Sequence, residues 1–146
     1  MDDKLLNQIE LLDENIHLLE EIQQKTLEEY LHDKILQGAA ERYLQIAIET
    51  CLNIGNRLLS LYQLEHNIKA PRTYADIFKA LALIKVIPED FAKKLVNMAG
   101  MRNLLVHVYW EIDDELVYRT IREGLDDFRK FRSYVIAFLK GMEERP

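Results

Sequence analysis

The stretch Arg102-Asn103-Leu104-Leu105-Val106-His107-Val108-Tyr109 places a cation, an amide, an imidazole and a phenol within eight residues. Read as a helix, Asn103 and His107 are four apart and share a face. Arg102 and Tyr109 are seven apart and share a neighbouring stripe. Leu104, Leu105, Val106 and Val108 can bury such an element. Four polar groups on one rigid apolar helix are the equipment for gripping and cleaving a phosphodiester without a metal. By themselves the residues also fit plainer roles. His107 fits a core histidine at a helix end, and Arg102 could pair with Glu111 or Asp114. Asn103 fits a cap, and Tyr109 and Trp110 fit core aromatics.

The rest of the chain must position these groups. Its 146 residues suit a single domain, 1–146, and 49% are apolar, enough for a core. The three prolines and five glycines leave long uninterrupted stretches. Apolar residues recur at spacings of three and four, which predicts an all-α fold. A first helix is predicted from about Asp3 to Gln23, with Leu5, Ile9, Leu12, Ile16, Leu19 and Ile22 as its stripe. Thr26-Leu27-Glu28-Glu29 reads as a capping box. It opens a short helix, followed by a long one from about Asp33 to His66. Ile35, Leu44, Ile48, Leu52, Leu58, Leu59 and Tyr62 are the apolar positions of that element. Gly55 within it suggests a close helix approach or a subunit contact.

Residues 66–72 form a loop. Thr73 caps Tyr74 to Leu83, and residues 84–87 make a turn. Pro88 suits the first position of the helix that leads to the motif, and Gly100 is a candidate kink. A last helix starts near Asp113 or Asp114 and runs to about Lys140. Its buried side is Leu116, Ile121, Leu125, Phe128, Phe131, Val135 and Leu139.

Net charge is −6, which argues against non-specific coating of nucleic acid. The surplus acid lies in residues 1–31, with nine acids and two bases. That segment reads as a solvated face or as a docking surface for a basic partner. Residues 32–86 hold five acids and seven bases, leaving room for a local basic pocket. Cys51 has no partner for a disulfide and reads as a buried thiol. There is no signal-peptide pattern and no membrane-spanning run, so a cytoplasmic protein is expected. His17, His32 and His66 stand alone. No metal-ligand cluster or phosphate loop is visible, so neither metal nor cofactor is expected. Tyr74, Phe78 and Tyr118 suit the core. Lys93, Lys94, Arg119 and Arg122 suit solvated faces or a supporting role in binding a phosphodiester.

Several tracts resemble one family. MRNLLVHVYWEID (101–113), preceded by FAKKLVNMAG (91–100), is similar to the HepT-like branch of the HEPN superfamily. The resemblance lies in Arg followed directly by Asn, then His five residues and Tyr seven residues after the Arg. TLEEYL (26–31), AAERYLQIAIETCLNIGNRLL (39–59) and PRTYADIFKAL (71–81) resemble it as well. The resemblance implies an antiparallel bundle of about five helices that forms a homodimer. It implies a metal-independent endoribonuclease toxin whose motif lies at a cleft between subunits, with Arg102 and His107 catalytic and Asn103 and Tyr109 supporting. It also implies a partner, an MNT-type nucleotidyltransferase antitoxin that attaches AMP to Tyr109. A catalytically silent nucleotide-binding or scaffold module for that transferase is the alternative.

For RNA as substrate the chemistry is concrete. The 2′-oxygen must lose a proton, the 5′-oxygen must gain one, and the phosphorane charge must be stabilised. Histidine exchanges protons near neutral pH. Arginine stays charged and can fork onto phosphate oxygens. Asn103 can orient the imidazole, and Tyr109 can donate to phosphate or stack on a base. One chain supplies one motif histidine; a two-fold interface would supply the second.

Overall fold

The computed structural model describes the backbone of residues 2–66, 69–107 and 112–144, and all of their side chains except those of 63–66 and 107. Six helices and no strand are present among them: α1 Asp3–Gln23, α2 Leu27–Leu31, α3 Lys34–His66, α4 Tyr74–Leu83, α5 Glu89–His107 and α6 Asp114–Glu143. They form an antiparallel bundle. Helices α1 and α6 pack together and both rest on α3; α4 and α5 pack on each other and on α3. The long α3 is therefore the shared element, and the motif helix α5 lies against it.

Caps set the helix starts. Asp2 accepts from the Leu5 amide at 2.9 Å and fixes the first turn of α1. Thr26 with Glu29, and Thr73 with Asp76, form reciprocal capping boxes at α2 and α4. Hydrogen bonds to Thr26 hold the Glu29 carboxyl below its ordinary value. Asp113 accepts from the Glu115 and Leu116 amides and starts α6 one residue later. The turn between α4 and α5 places Lys85 at φ 64°, a left-handed conformation unusual for a side-chain-bearing residue.

The core runs through the predicted stripes. All six apolar positions of α1 are buried, as are Leu44, Ile48, Leu52, Leu58 and Leu59 of α3 and Ile121 to Leu139 of the α6 stripe. Phe78 and Phe131 meet edge to face at 6.2 Å. Cys51 is buried and its thiol is pushed well up by desolvation, which leaves it protonated and unreactive at neutral pH.

Several expectations need correction. Ile35 is 88% exposed and Leu116 38% exposed, so neither belongs to the core. Ile35 sits in the first turn of α3, beyond the reach of the bundle. Tyr62 is half-buried, edge-on to Phe138. Tyr74 is 37% exposed rather than core. Pro88 precedes α5, which begins at Glu89. Gly100 does not end α5, which continues to His107; the packing of Ala99, Met101 and Leu105 in the core holds the helix through it. The long-helix count is five, with α2 an additional single turn.

Gly55 is a close approach within the chain. A Cβ there would stand 2.6 Å from Ile77 Cγ2 and 3.2 Å from Leu81 Cδ1, both on α4. Ile77 Cγ2 is branched directly from Cβ and cannot swing away. Gly55→Leu is therefore expected to lower unfolding stability by about 1–3 kcal/mol or more through overpacking. Chemical denaturation of the purified variant checks this; an unchanged midpoint would remove the close contact.

Candidate active site on helix α5

Helix α5 anchors itself through Met101 and Leu105, both buried. Between and beside these anchors it presents Arg102, half-buried, and Asn103 and Leu104, exposed. The helix is continuous through both Asn103 and His107. The one-turn relation expected between them therefore holds along the backbone. His107 is the last residue of α5; its side chain lies outside the described residues. Tyr109, Trp110 and Glu111 lie outside them entirely.

Arg102 has two partners. Its Nε donates to Oε1 of Glu49 on α3 at 3.1 Å, in place of the pairing with Asp114 that its sequence position suggested. Its guanidinium carbon lies 5.2 Å from the centroid of the Tyr74 ring on α4. Glu49 is itself steadied by Gln45, whose Nε2 donates to the same oxygen at 3.2 Å. Three helices thus fix one guanidinium. Only Nε is engaged by the carboxylate, and the terminal nitrogens have no hydrogen-bond partner among the described residues. Those two nitrogens form the fork that suits a phosphate.

Glu49 and Tyr74 are the contacts of Arg102 that the sequence did not point to. Glu49 is an acid in the middle of a long, largely apolar helix stretch, with no base one turn away to pair with. That isolation was a usable signal. Tyr74, just after a cap, had none beyond its aromatic type.

The flanking bases separate. Arg122 donates to the Tyr118 hydroxyl at 2.8 Å and lies over its ring at 5.6 Å, while that hydroxyl donates to the Lys25 carbonyl at 2.6 Å. These residues tie α6 to the end of α1. Lys93 borders an apolar groove of about 490 Å³ between α4 and α5. Beside the motif a smaller recess of about 120 Å³ is lined by Met101, Leu104, Leu105, Ile112 and Leu116. No group of three or more His, Cys, Asp or Glu residues stands together as a metal site among the described residues. No described helix is long and apolar enough to cross a membrane.

Comparison with known proteins places the chain among relatives of one family. Residues 12–135 match the family described as ribonuclease HepT-like. The chain is similar to an mRNA nuclease HepT of Shewanella oneidensis, 28% identical over 131 residues, covering 90% of this chain and 95% of the relative. It is similar to a tRNA nuclease HepT of Aphanizomenon flos-aquae, 25% identical over 138 residues, covering 93% and 90%. Its fold matches the tri-AMPylated Shewanella oneidensis HEPN toxin, solved in complex with an MNT antitoxin. That likeness has a TM-score of 0.82 at 27% identity and covers 94% of this chain and 99% of the other.

Proposed function

The chain belongs to the HepT-like ribonuclease family, and on that premise we propose that it is a metal-independent endoribonuclease, the toxin of a toxin–antitoxin pair. Arg102 and His107 form its catalytic pair, supported by Asn103 and Tyr109, at a cleft between two copies of the chain. The observation that carries this reading is the setting of Arg102. It is held by Glu49 and Tyr74, with no hydrogen-bond partner for its terminal nitrogens among the described residues, on a helix that ends at His107. A cation kept for packing alone has no need of such a setting.

In this mechanism Arg102 grips a non-bridging phosphate oxygen and stabilises the charge that grows on the phosphorane. An imidazole takes the proton from the 2′-oxygen, and a protonated imidazole returns one to the leaving 5′-oxygen. Residues five apart on a helix are separated by roughly 140° and about 7.5 Å of rise. Positions 102 and 107 therefore lie on different faces of α5, and a second copy supplies the complementary group. Support for that second copy comes from Leu104 and Leu116, 47% and 38% exposed beside the motif, where an apolar partner face would cover them. The partner for control is a nucleotidyltransferase antitoxin, by analogy with the MNT antitoxin bound to the related toxin.

Incubation of the purified protein with RNA in EDTA tests the function. Cleavage is expected, with products ending in 2′,3′-cyclic phosphate. No cleavage in EDTA but cleavage with magnesium would overturn metal independence, and 5′-phosphate products would overturn attack by the 2′-oxygen. Sedimentation at micromolar concentration is expected to give twice the chain mass. A monomer that cleaves RNA would remove the shared cleft.

A further inference from the structure

Helix α3 does more than hold Arg102. Glu49, Asn53 and Asn56 recur at spacings of four and three, so they share one stripe of the helix. Asn53 and Asn56 are exposed. The stripe leads from the Arg102 anchor into a groove between α1 and α3 of about 430 Å³. Lys4, Asn7 and Gln8 line it from α1, and Asn53, Asn56 and Arg57 from α3. The rise from Glu49 to Asn56 is about 10 Å, so the groove opens close to the proposed site of cleavage.

The chemistry of this groove is unusual for the molecule. In a chain with 25 acids against 19 bases, no carboxylate and no large apolar side chain lines it among the described residues. Four of them are carboxamides. Arg57 is already paired with Asp2, its Nε donating to Oδ1 at 2.9 Å, so Lys4 is the one charge of the lining left without an ion pair among the described residues. Oε1 of Gln8 is buried and accepts no hydrogen bond, which leaves a polar group that the fold does not satisfy.

Carboxamides carry a donor and an acceptor side by side, which matches the edge of a nucleobase better than a phosphate. Unpaired RNA is read in this way, with splayed bases hydrogen-bonded along their edges. A protein partner is a poorer fit, since protein interfaces centre on aromatic and apolar side chains. Resting on the ribonuclease reading, we propose that this groove is a base-recognition subsite. It takes an unpaired nucleotide of the RNA substrate flanking the phosphate held by Arg102. Weak charge with several amides gives selectivity without general affinity for RNA, in keeping with the acidic net charge.

The test uses the full-length protein and short single-stranded RNA with every 2′-oxygen methylated, which blocks the proposed nucleophile. Some uridines are replaced by 4-thiouridine for cross-linking. Cross-links are expected on peptides containing Asn7 and Gln8 or Asn53 and Asn56. Asn53→Ala with Asn56→Ala, both exposed, is expected to raise the Kd for this RNA roughly tenfold, the scale of one well-placed amide–base pair. Cross-links confined to α5 with an unchanged Kd would overturn the subsite and leave the ribonuclease reading intact. A variant that binds RNA normally but changes its sedimentation would make the groove a protein interface instead. Cross-linking in the groove by a protein that cuts no RNA would keep the subsite and remove the nuclease. No binding to any RNA would remove both.

Discussion

His107→Ala is expected to reduce RNA cleavage by about 10²–10⁴-fold, the usual worth of general acid–base catalysis, and Arg102→Ala is expected to abolish detectable cleavage. The two losses have different origins. The imidazole moves protons, so its removal acts on the rate constant of the chemical step. The guanidinium stabilises charge that is greatest in the transition state, so its removal lowers kcat more than it raises KM. Arg102→Lys should rescue little, because an ammonium offers neither the planar fork nor a flat face for the Tyr74 ring. A graded loss is expected one contact further out. Glu49→Ala leaves the guanidinium without its Nε anchor and should cost up to about 10²-fold through misplacement. Glu49→Gln keeps an acceptor oxygen and should restore most of that loss. Rescue by the amide marks Glu49 as a positioning residue; equal loss in both variants would mean that its charge acts directly. Circular dichroism should be unchanged throughout, since Arg102 and Glu49 sit outside the core. A His107→Ala protein that cuts RNA within twofold of the parent would remove His107 from the mechanism.

The architecture was legible wherever local chemistry decides it. The bounds of α1 follow from an unbroken stripe, and those of α4 from Thr73 and the turn that follows Leu83. Such signals act within a few residues, so they survive in a bare sequence. What could not be read depends on distance in the chain. Glu49 and Arg102 are 53 residues apart, and no local pattern encodes their meeting. Ile35 and Leu116 fit the period of their helices, yet the bundle does not extend over them. Period shows which face a residue is on, and only packing shows whether that face is covered. Gly100 illustrates the converse: poor intrinsic propensity, worth about 1 kcal/mol, is outweighed by buried neighbours on either side. The proposed motif was legible as a set of residue types. The grip on its arginine was not, because Glu49 and Tyr74 come from two other helices.

Control of such an activity gives the second large effect. Incubation with a cognate nucleotidyltransferase, ATP and magnesium is expected to add AMP to Tyr109 and to silence cleavage. In that reaction the phenol oxygen attacks the α-phosphorus of ATP, a P–O bond to the leaving group breaks, and pyrophosphate departs while the phenol proton goes to solvent. The product is a phosphodiester with one negative charge, two residues along the chain from His107. Arg102, whose fork has no other described partner, is the nearest cation in the motif. The new phosphate can occupy it as the substrate's would, so the modification competes for the very group that stabilises the reaction. The attached adenosine adds bulk where RNA must enter. Occupation of this kind explains why a covalent mark would inhibit without unfolding the bundle. Tyr109→Phe should remain an active nuclease in the presence of transferase and ATP, and mass spectrometry should show no added AMP on it. Full inhibition of the parent with Tyr109 unmodified would mean that the antitoxin works by covering the cleft alone.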